Sequence, residues 1–393
     1  MKKTSVLVAG ALAAGSIVAF SGGSAEAASS PLDYVCSSLL GPTTMRVVDD
    51  TDLPAQVPVG ATVPMHLTSA VALPSTALSL ISALYPTATG VVGDVTSTGT
   101  MTGPAGVGSV PVTTELPVPL TSLSQLDSAG NLPLHLTGEA QDFTAPVPGL
   151  YTIKAGGFTS ALSAQGPLGV LGAIPAMTCV APDVDTTIDT VKAVVPSTAT
   201  LRLARSTEGY GQATIATATV ASSDPLAAAL GAPAGSVRFT VGRRSVTAAL
   251  DGNGVARAKL PRLAAGHSYS VVAHYAPAAS SFYQAAKSSP KSLKVVRAGT
   301  RTAVVARNIR RRHAEVATIA VTSTYKATVT GKVRATLKRG TRSLRSRTVS
   351  LERGRATVRF GRLAKRGRYS VVAHYLGSAD FVRSGGRRGF SVR

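Results

Sequence analysis

The chain has 393 residues and a formal net charge of +22, because 41 lysines and arginines outweigh 19 aspartates and glutamates. Glycine, proline, threonine and valine dominate, and long 3.6-residue periodicities are nearly absent, which excludes a mainly helical fold. Beyond the N-terminus no segment is apolar enough to span a bilayer, which excludes a protein built on transmembrane helices.

The N-terminus carries the three parts of a secretory signal peptide. Two lysines (residues 2–3) precede an apolar stretch (residues 6–20) and the small-residue sequence Ala-Glu-Ala (residues 25–27). The apolar stretch is shorter than the roughly 20 residues of a membrane span. We therefore predict a signal peptide over residues 1–27, a secreted mature chain with no membrane span, and no covalent anchor.

Residues 28–186 are predicted to form one domain, called the head below. The head contains both cysteines of the chain, Cys36 and Cys179. An even pair in an oxidising compartment favours a disulfide, which would close a loop of about 140 residues, with two free buried thiols as the alternative. From residue 28 to residue 195 the chain has 12 acidic and 3 basic residues, so the head is acidic.

Short alternating runs predict that the head is a β-sandwich-like domain with one short helix. The helix is predicted from Pro74 to Tyr85, with Ser75 as its N-cap. The residues expected on one face of that helix are Leu78, Ile81, Leu84 and Tyr85. The residues expected to alternate along a strand are Val110, Val112, Thr114 and Leu116.

Two polar groups in the head resemble metal ligands. His66 and His135 lie in similar segments, which could bring them together on paired strands, whereas a weak internal duplication with ordinary strand histidines is the alternative. Asp49–Asp52 is rich in oxygen ligands but lacks the glycine and terminal glutamate of a twelve-residue calcium loop, which favours a solvated acidic turn. We predict no metal and no cofactor.

A polar connection out of the head is predicted just after Cys179, over residues 181–190, and the linker between domains is predicted over residues 187–196. Its acidic side chains, Asp183, Asp185 and Asp189, are interpreted as solubilising groups. The chain then repeats itself, because Tyr269–Tyr275 recurs unchanged as Tyr369–Tyr375, 100 residues later. We predict two all-β modules, module 1 over residues 197–298 and module 2 over residues 299–393.

Period-2 patterns show which side chains of the modules face inward. The inward sets are Val237, Phe239 and Val241 in module 1, Val333, Ala335 and Leu337 in module 2, and the tyrosine set Tyr269, Val271, Ala273 and Tyr275. Asp251–Gly254 is a tight-turn signal, because glycine and asparagine tolerate positive φ. Four residues are inserted in module 2 after the Leu337 strand, and this arginine-rich hairpin is predicted to lie on the surface.

The ends of the two modules resemble bacterial immunoglobulin-like repeats. Gly367–Tyr375 followed by Gly377–Phe381 fits their typical Gly-x-Tyr-x-Val-x-Ala-x-Tyr strand and Gly-Asp-Ala-Asn-Tyr turn, whereas Ala276–Tyr283 of module 1 lacks the glycine and the acid. The resemblance implies immunoglobulin-like sandwiches over residues 197–393, in a spacer or adhesive role.

The head is similar to a domain of unknown function that recurs at the start of secreted proteins of high-GC Gram-positive bacteria. The segments that carry this resemblance are Tyr34–Cys36, Pro148–Tyr151 and Met177–Cys179. The resemblance implies no ligand, so the partner of the head is left open.

The positive charge is concentrated at the C-terminal end. Residues 196–299 contain 12 basic and 3 acidic residues, and residues 300–393 contain 24 basic and 3 acidic residues. Arginine binds phosphate or carboxylate oxygens with two parallel N–H groups, so an exposed cluster binds polyanions with salt-sensitive affinity. The candidate polyanion-binding residues are Arg310, Arg311, Arg312, Arg334, Lys338, Arg339, Arg342, Arg345, Arg347, Arg355 and Arg359.

Three functions remain in competition. We expect a non-catalytic, secreted surface protein whose basic modules bind anionic cell-wall polymers and carry the acidic head. The first alternative is a head that acts as an enzyme or small-ligand binder, although the chain has no nucleophile elbow, zinc-binding His-Glu-x-x-His or nucleotide fingerprint. The second is an exported DNA-binding protein, although the basic residues are not interleaved with stacking aromatics and no specific nucleic acid is predicted.

A basic surface that only aids solubility is the simplest interpretation of the charge.

Overall fold

The computed structural model describes residues 30–38 and 41–393. The predicted signal peptide lies outside the described residues. The chain divides into two compact units, one ending at Val194 and the other beginning at Val195. The first unit is the head, and the second contains both modules. Within the described ranges, no helix combines the length and apolarity needed to cross a membrane.

The head consists of strands and one short helix. In chain order these elements are β1 (Leu32–Ser38), β2 (Gly41–Thr51), β3 (Gln56–Pro58), β4 (Thr62–Val63), β5 (His66–Leu73), α1 (Ser75–Leu84), β6 (Gly90–Thr102), β7 (Ser109–Ser122), β8 (Leu132–Glu139), β9 (Phe143–Thr144), β10 (Gly149–Gly166), β11 (Gly169–Ala173), β12 (Thr178–Val180) and β13 (Thr187–Val194). The many valines and threonines suit a pleated, half-buried surface.

One sheet of eleven strands dominates the described part of the head. Its order is β3-β13-β10-β12-β1-β2-β5-β8, with β6 and β11 paired to β10 and β7 paired to β6. The sheet folds over, because β7 and β8 approach until a Cβ atom on Gly138 would lie 2.0 Å from the carbonyl oxygen of Glu115. The two halves enclose one core, in which the rings of Tyr34 and Phe158 lie 5.0 Å apart. This is the sandwich-like domain that the sequence predicts.

The predicted helix is present, but its cap and its buried face differ in detail. Pro74 is the N-cap and makes no side-chain cap hydrogen bond, so Ser75 is the first helical residue and not the cap. Ile81 is buried and Leu78 is half-buried, whereas Leu84 is exposed and does not share their face. The alternation predicted on β7 is confirmed, with Val112, Thr114 and Leu116 buried and Val110 half-buried.

The segment predicted as a linker instead completes the head over residues 187–194. This segment is strand β13, which pairs with β10 in antiparallel register and with β3 in parallel register. The hydroxyl of Thr51 donates a hydrogen bond to the carboxylate of Asp189, and the hydroxyl of Thr187 donates one to Asp185 (2.7 Å). Ile188 and Val191 are buried on the inner side of the strand. The acidic side chains therefore belong to an ordered strand and its approach.

The second unit contains the strands of both modules. Module 1 has β14 (Thr198–Leu203), β15 (Thr207–Gly209), β16 (Ile215–Ala221), a 3₁₀ helix (Pro225–Leu230), β17 (Gly235–Val241), β18 (Arg244–Ala249), β19 (Val255–Lys259), β20 (His267–Pro277), β21 (Ala286–Lys287) and β22 (Lys291–Val296). Module 2 has β23 (Thr300–Val305), β24 (Ala314–Ser323), β25 (Lys332–Arg339), β26 (Arg342–Ser350), β27 (Arg355–Arg362), β28 (Gly367–Tyr375) and β29 (Ser384–Val392).

Each module is a two-sheet sandwich, and the two are built alike. Module 1 has the sheets β14-β16-β19 and β15-β22-β20-β17-β18, and module 2 has the sheets β23-β24-β27 and β26-β25-β28-β29. The repeated heptapeptide forms the middle of β20 and the last seven residues of β28. The inward sets predicted from period 2 are buried in both modules, except that Tyr269 is only half-buried. The hydroxyls of Tyr275 and Tyr375 donate equivalent hydrogen bonds to the carbonyls of Ala234 (2.8 Å) and Thr330 (2.6 Å).

The turn after β28 joins module 2 to module 1 within the second unit. The Phe381 ring packs edge-on against Tyr210, with centroids 5.2 Å apart. Asp380 accepts a hydrogen bond from the backbone N–H of Ala265 (3.0 Å). The acid of this turn, which the corresponding segment of module 1 lacks, therefore serves the contact between modules.

Candidate functional site

The outer face of the sheet β26-β25-β28-β29 carries two of the predicted cations. Arg334 and Lys338 alternate with the buried residues of β25 and point away from the core. Register places Arg334 beside His374, and Thr336 beside Val372, which in turn lies beside Arg387. Arg387 is exposed and was not among the predicted residues. Only the register of β29, which the sequence does not reveal, brings it to this face.

The inserted hairpin forms an exposed edge strand, as predicted, but its arginines do not all point outward. Arg347 and Arg345 lie opposite Ala335 and Leu337, which are buried residues of β25. Their side chains therefore lie on the core side of the edge, next to the other sheet. Arg345 donates a hydrogen bond to the carbonyl of Phe360 on β27. This arginine thus closes the edge of the sandwich as well as carrying charge.

Arg339, at the tip of the same hairpin, is also held by the protein. Its guanidinium lies 5.7 Å from the ring centroid of Tyr369 and donates a hydrogen bond to the carbonyl of Arg366 (2.9 Å). A cation over an aromatic ring keeps its positive charge while its position is fixed. Arg342 is exposed at the same turn.

The opposite sheet carries a second cationic face. Arg355 and Arg359 alternate with the buried residues of β27, as predicted, and stand in solvent. Between β23 and β24, residues 310–312 form an exposed arginine turn at one end of the module. The backbone N–H of Arg311 bonds to the carbonyl of Arg393 (2.7 Å), so this turn lies beside the last residue of the chain.

Apart from the arginine turn at residues 310–312, which lies at one end of the module, the predicted cations are therefore spread over three surfaces and not gathered on one face. These surfaces are the outer faces of the two sheets and the β26 edge with its neighbouring turn. Among the described residues, the ion pairs lie in the head and include Lys154 with Asp185 (3.5 Å) and, when its imidazole is protonated, His66 with Asp52 (2.7 Å). No described carboxylate thus neutralises an arginine of module 2, and its positive charge faces solvent.

One acid of module 2 is buried in an unusual way. Glu315 is only 1% exposed, and neither carboxylate oxygen accepts a hydrogen bond from the described chain. Burial raises the pKa of this carboxyl. The nearby backbone N–H of Arg307 lowers the pKa by a smaller amount, although it does not make a hydrogen bond to the carboxylate. In module 1 the corresponding position is Thr214, whose hydroxyl donates a hydrogen bond to the buried Glu208. Each module therefore buries one carboxylate, but only in module 1 does a hydroxyl bind it.

We expect Glu315→Gln to stabilise module 2 by about 1–3 kcal/mol at neutral pH, because a buried carboxylate without a partner loses its hydration. The folded state has the higher pKa, so it binds more protons than the unfolded state, and stability falls as pH rises above the ordinary carboxyl range. Urea unfolding at pH 4 and pH 7 measures this. The variant should lose that pH slope, whereas equal stability of both proteins at pH 7 would contradict the prediction. Glu352→Gln, at an exposed position, is the control.

The disulfide predicted in the head is confirmed. Cys36 and Cys179 are bonded, with 143 residues of sequence separation. The two residues are direct partners in the register of β1 and β12, and both are buried. The bond therefore fastens the two ends of the head across one sheet.

The two histidines lie on paired strands, as the sequence suggested, but do not meet. In the register of β5 and β8, His66 faces Glu139 and His135 faces Ala70, which separates the histidines by four positions, or roughly 13 Å. His66 instead bonds through Nδ1 to Asp52 (2.7 Å). No group of three or more possible ligands converges within the described ranges.

Asp49–Asp52 is neither a calcium loop nor a solvated turn. Asp49 lies in β2, is buried, and accepts a hydrogen bond from the hydroxyl of Tyr34 (3.4 Å). Burial raises the pKa of Asp49, and hydrogen bonds from Ser69 and Tyr34 offset part of that change. Asp49 also lines a small pocket of about 20 Å³, a volume that suits one water molecule. The sequence pattern did not predict that Asp49 is buried, because the burial of Asp49 depends on strand pairing.

The comparisons with known proteins place both parts of the chain. Residues 33–189 match a family of unknown function (DUF6801), and residues 199–296 match the bacterial Ig-like domain (group 3). Both predicted resemblances are confirmed, and the shared repeat and sheet order give module 2 the same fold. No protein with a curated description matches the chain.

Solved structures that align with the chain are only distantly similar. A protein of Corynebacterium diphtheriae described as membrane anchored has 11% identity and a TM-score of 0.29, covering 93% of this chain and 96% of that one. A tetra-tandem repeat from the extending region of a large adhesion protein has 12% identity and a TM-score of 0.33, covering 93% and 92%. A 1.5-MDa bacterial ice-binding adhesin has 10% identity and a TM-score of 0.23, covering 88% and 98%. At these scores no functional argument rests on the alignments.

Proposed function

We propose that this protein is an exported, non-catalytic cell-surface protein whose basic modules, module 2 above all, tether the acidic head to anionic envelope polymers. The observation that carries the proposal is the exposed and unpaired charge of module 2. Its arginines occupy both sheet faces and one edge, and no described carboxylate pairs with them. A signal peptide predicted by the sequence supports the location.

The distribution of charge favours a flexible polymer as the partner. A rigid duplex contacts one side of a small domain, so cations on opposite faces could not bind it together. A flexible polyanion within a wall can follow several faces at once and gain one charge-assisted contact at each. Exposed arginines on three surfaces therefore fit a polymer network better than DNA.

Electrostatic binding of this kind depends on salt, because each phosphate contact releases counterions. The test is retention of the mature full-length chain on isolated cell walls over a series of salt concentrations. We expect retention at low salt and progressive release as the salt concentration rises. Walls from which the anionic polymers have been extracted serve as the control and should retain little protein.

Three results would contradict the proposal. Retention that does not change with salt concentration would indicate a contact that is not electrostatic. If the walls retain no protein at low salt, the positive charge has only a solubilising role. Displacement of the protein by duplex DNA at equal charge concentration, with no displacement by wall polymers, would favour the DNA-binding alternative.

A further inference from the structure

One end of the head presents a cluster of exposed apolar side chains, which we call the apolar tip. It is formed by the end of α1, the end of β7 and the hairpin β10–β11, and its members are Leu84, Leu120, Leu168, Val170 and Leu171. Register joins these elements, because Gln165 lies opposite both Gly90 and Val170. Leu120 covers Gly90, where an added Cβ atom would lie 3.0 Å from its Cδ1 atom. Leu120, Val170 and Leu171 therefore adjoin the hairpin apex, with the uncharged Gln165 between them, and the contact of Tyr85 with Gly172 brings the end of α1 beside the hairpin.

The apolar tip is convex and strongly exposed. Leu168 stands at the apex of the hairpin and is fully exposed, Leu120 is 68% exposed and Val170 is 65% exposed. Exposed leucines are unremarkable when they are isolated, but a contiguous exposed patch marks an interaction site. A folded protein gains nothing from holding a leucine in water at a hairpin apex.

The segments that build the tip contain no side chain that is charged at neutral pH. Residues 74–93, 116–126 and 155–182 have no Asp, Glu, Lys, Arg or His. The backbone at the apex is also largely satisfied, because Gly166 pairs with Gly169 and Pro167 has no N–H group. The hydroxyl of Tyr85, beside the hairpin, donates to the carbonyl of Ala173 (2.7 Å). The polar side chains at this end, such as Thr121, Ser122 and Gln165, are uncharged, so no ionised side chain would lose its hydration if this end left water.

We infer that the apolar tip inserts into the interface of a lipid membrane. Lipid favours structures whose backbone groups are paired and whose side chains carry no charge, and the tip meets both conditions. A protein partner would need a pocket shaped to the convex apex, whereas a lipid interface adapts to it. This inference does not rest on the tether proposed for module 2.

The charge around the tip selects the kind of lipid. The ionisable residues nearest the tip on its strands are Asp94 on β6 and Glu115 on β7, and Asp127 follows in the loop after β7. These acidic residues repel anionic headgroups, so the tip should favour lipids that carry no net charge, such as zwitterionic lipids. Basic module 2 has the opposite preference, which allows the two contacts to be told apart by salt and by lipid charge.

The chain has no tryptophan, so one tryptophan at the apex is an unambiguous reporter. The experiment uses the mature full-length chain with Leu168→Trp, mixed with phosphatidylcholine vesicles in 0.5 M NaCl. We expect a blue shift of tryptophan emission and quenching by lipids brominated in the acyl chains. The control is Val305→Trp on β23, an exposed valine far along the chain in module 2. Its emission should not change.

A second pair of variants measures binding itself. Leu168→Ser with Val170→Ser should lower sedimentation with the same vesicles at least tenfold, while Ile215→Ser with Val305→Ser should leave it unchanged. All four positions are exposed, so the melting temperature should stay constant. Absence of vesicle binding by the unmodified chain would overturn the inference. So would self-association that disappears in the Leu168→Ser variant, since the tip would then bind a second copy of this chain.

Discussion

Replacing Cys36 and Cys179 with alanine is expected to lower the free energy of unfolding of the head by about 2–5 kcal/mol. The disulfide spans 143 residues, so its loss returns a large loop entropy to the unfolded chain. Chemical denaturation followed by far-ultraviolet circular dichroism measures the change in the head. Hydrogen exchange of peptides from modules 1 and 2, which contain no cysteine, should stay the same.

Local structure makes the head unusually dependent on this bond. Strand β12 has only three residues, Thr178–Val180, and its ladder with β1 and β10 is correspondingly short. We expect peptides covering β12 to lose protection from exchange before the rest of the sheet. Reducing agent should destabilise the natural chain and leave the double variant unchanged. A natural chain that resists reduction and melts like the variant would show that the bond contributes little.

The parts of the fold that the sequence predicted correctly depend on local patterns. The period-2 sets around Phe239 and Leu337 are buried because a strand places alternate side chains on one face, wherever it lies in the sheet. The turn at Asp251 forms as predicted, because its carboxylate accepts hydrogen bonds from the backbone of Asn253 (2.9 Å) and Val255 (3.0 Å). Each of these signals is carried by residues only a few positions apart, so neither depends on a distant partner.

The parts that the sequence predicted wrongly depend on distant partners. β13 was interpreted as a linker because Asp189 and the two aspartates just before the strand suggest solvent, yet pairing with β10 and the hydroxyl of Thr51 fix the strand in the sheet. Asp49 is buried only because β1 and β5 bring Tyr34 and Ser69 to it. In both cases the partner lies on another strand, and no local pattern identifies it.

The candidate site shows the same division. Alternation on β27 correctly placed Arg355 and Arg359 outward. The irregular register of the hairpin β25–β26, which shifts between Leu337 and Lys338, put Arg345 on the core side, where it bonds to β27. Composition therefore predicted how much charge module 2 carries, whereas strand register decides which surfaces carry it.

A charge-neutralised variant would show whether position or only net charge determines binding to the wall. We expect a fourfold arginine-to-glutamine variant of module 2 to lower retention on isolated walls at least tenfold at low salt. Each lost contact should also reduce the slope of log affinity against log salt by about 0.7–0.9. The four positions, chosen because they are exposed and span three surfaces, are Arg334, Arg347, Arg355 and Arg359.

The matched control removes the same number of charges from module 1. Its positions, also exposed, are Arg202, Arg238, Arg243 and Arg257. If net charge alone governed retention, the two variants would lose equal affinity, because each removes four positive charges from the same chain. A local effect should instead be much larger in module 2, where 24 basic residues oppose only three acids and one of those, Glu315, is buried. Equal losses would therefore show that the basic surface acts only through nonspecific net charge. A larger loss in the module 2 variant would show that module 2 binds the wall.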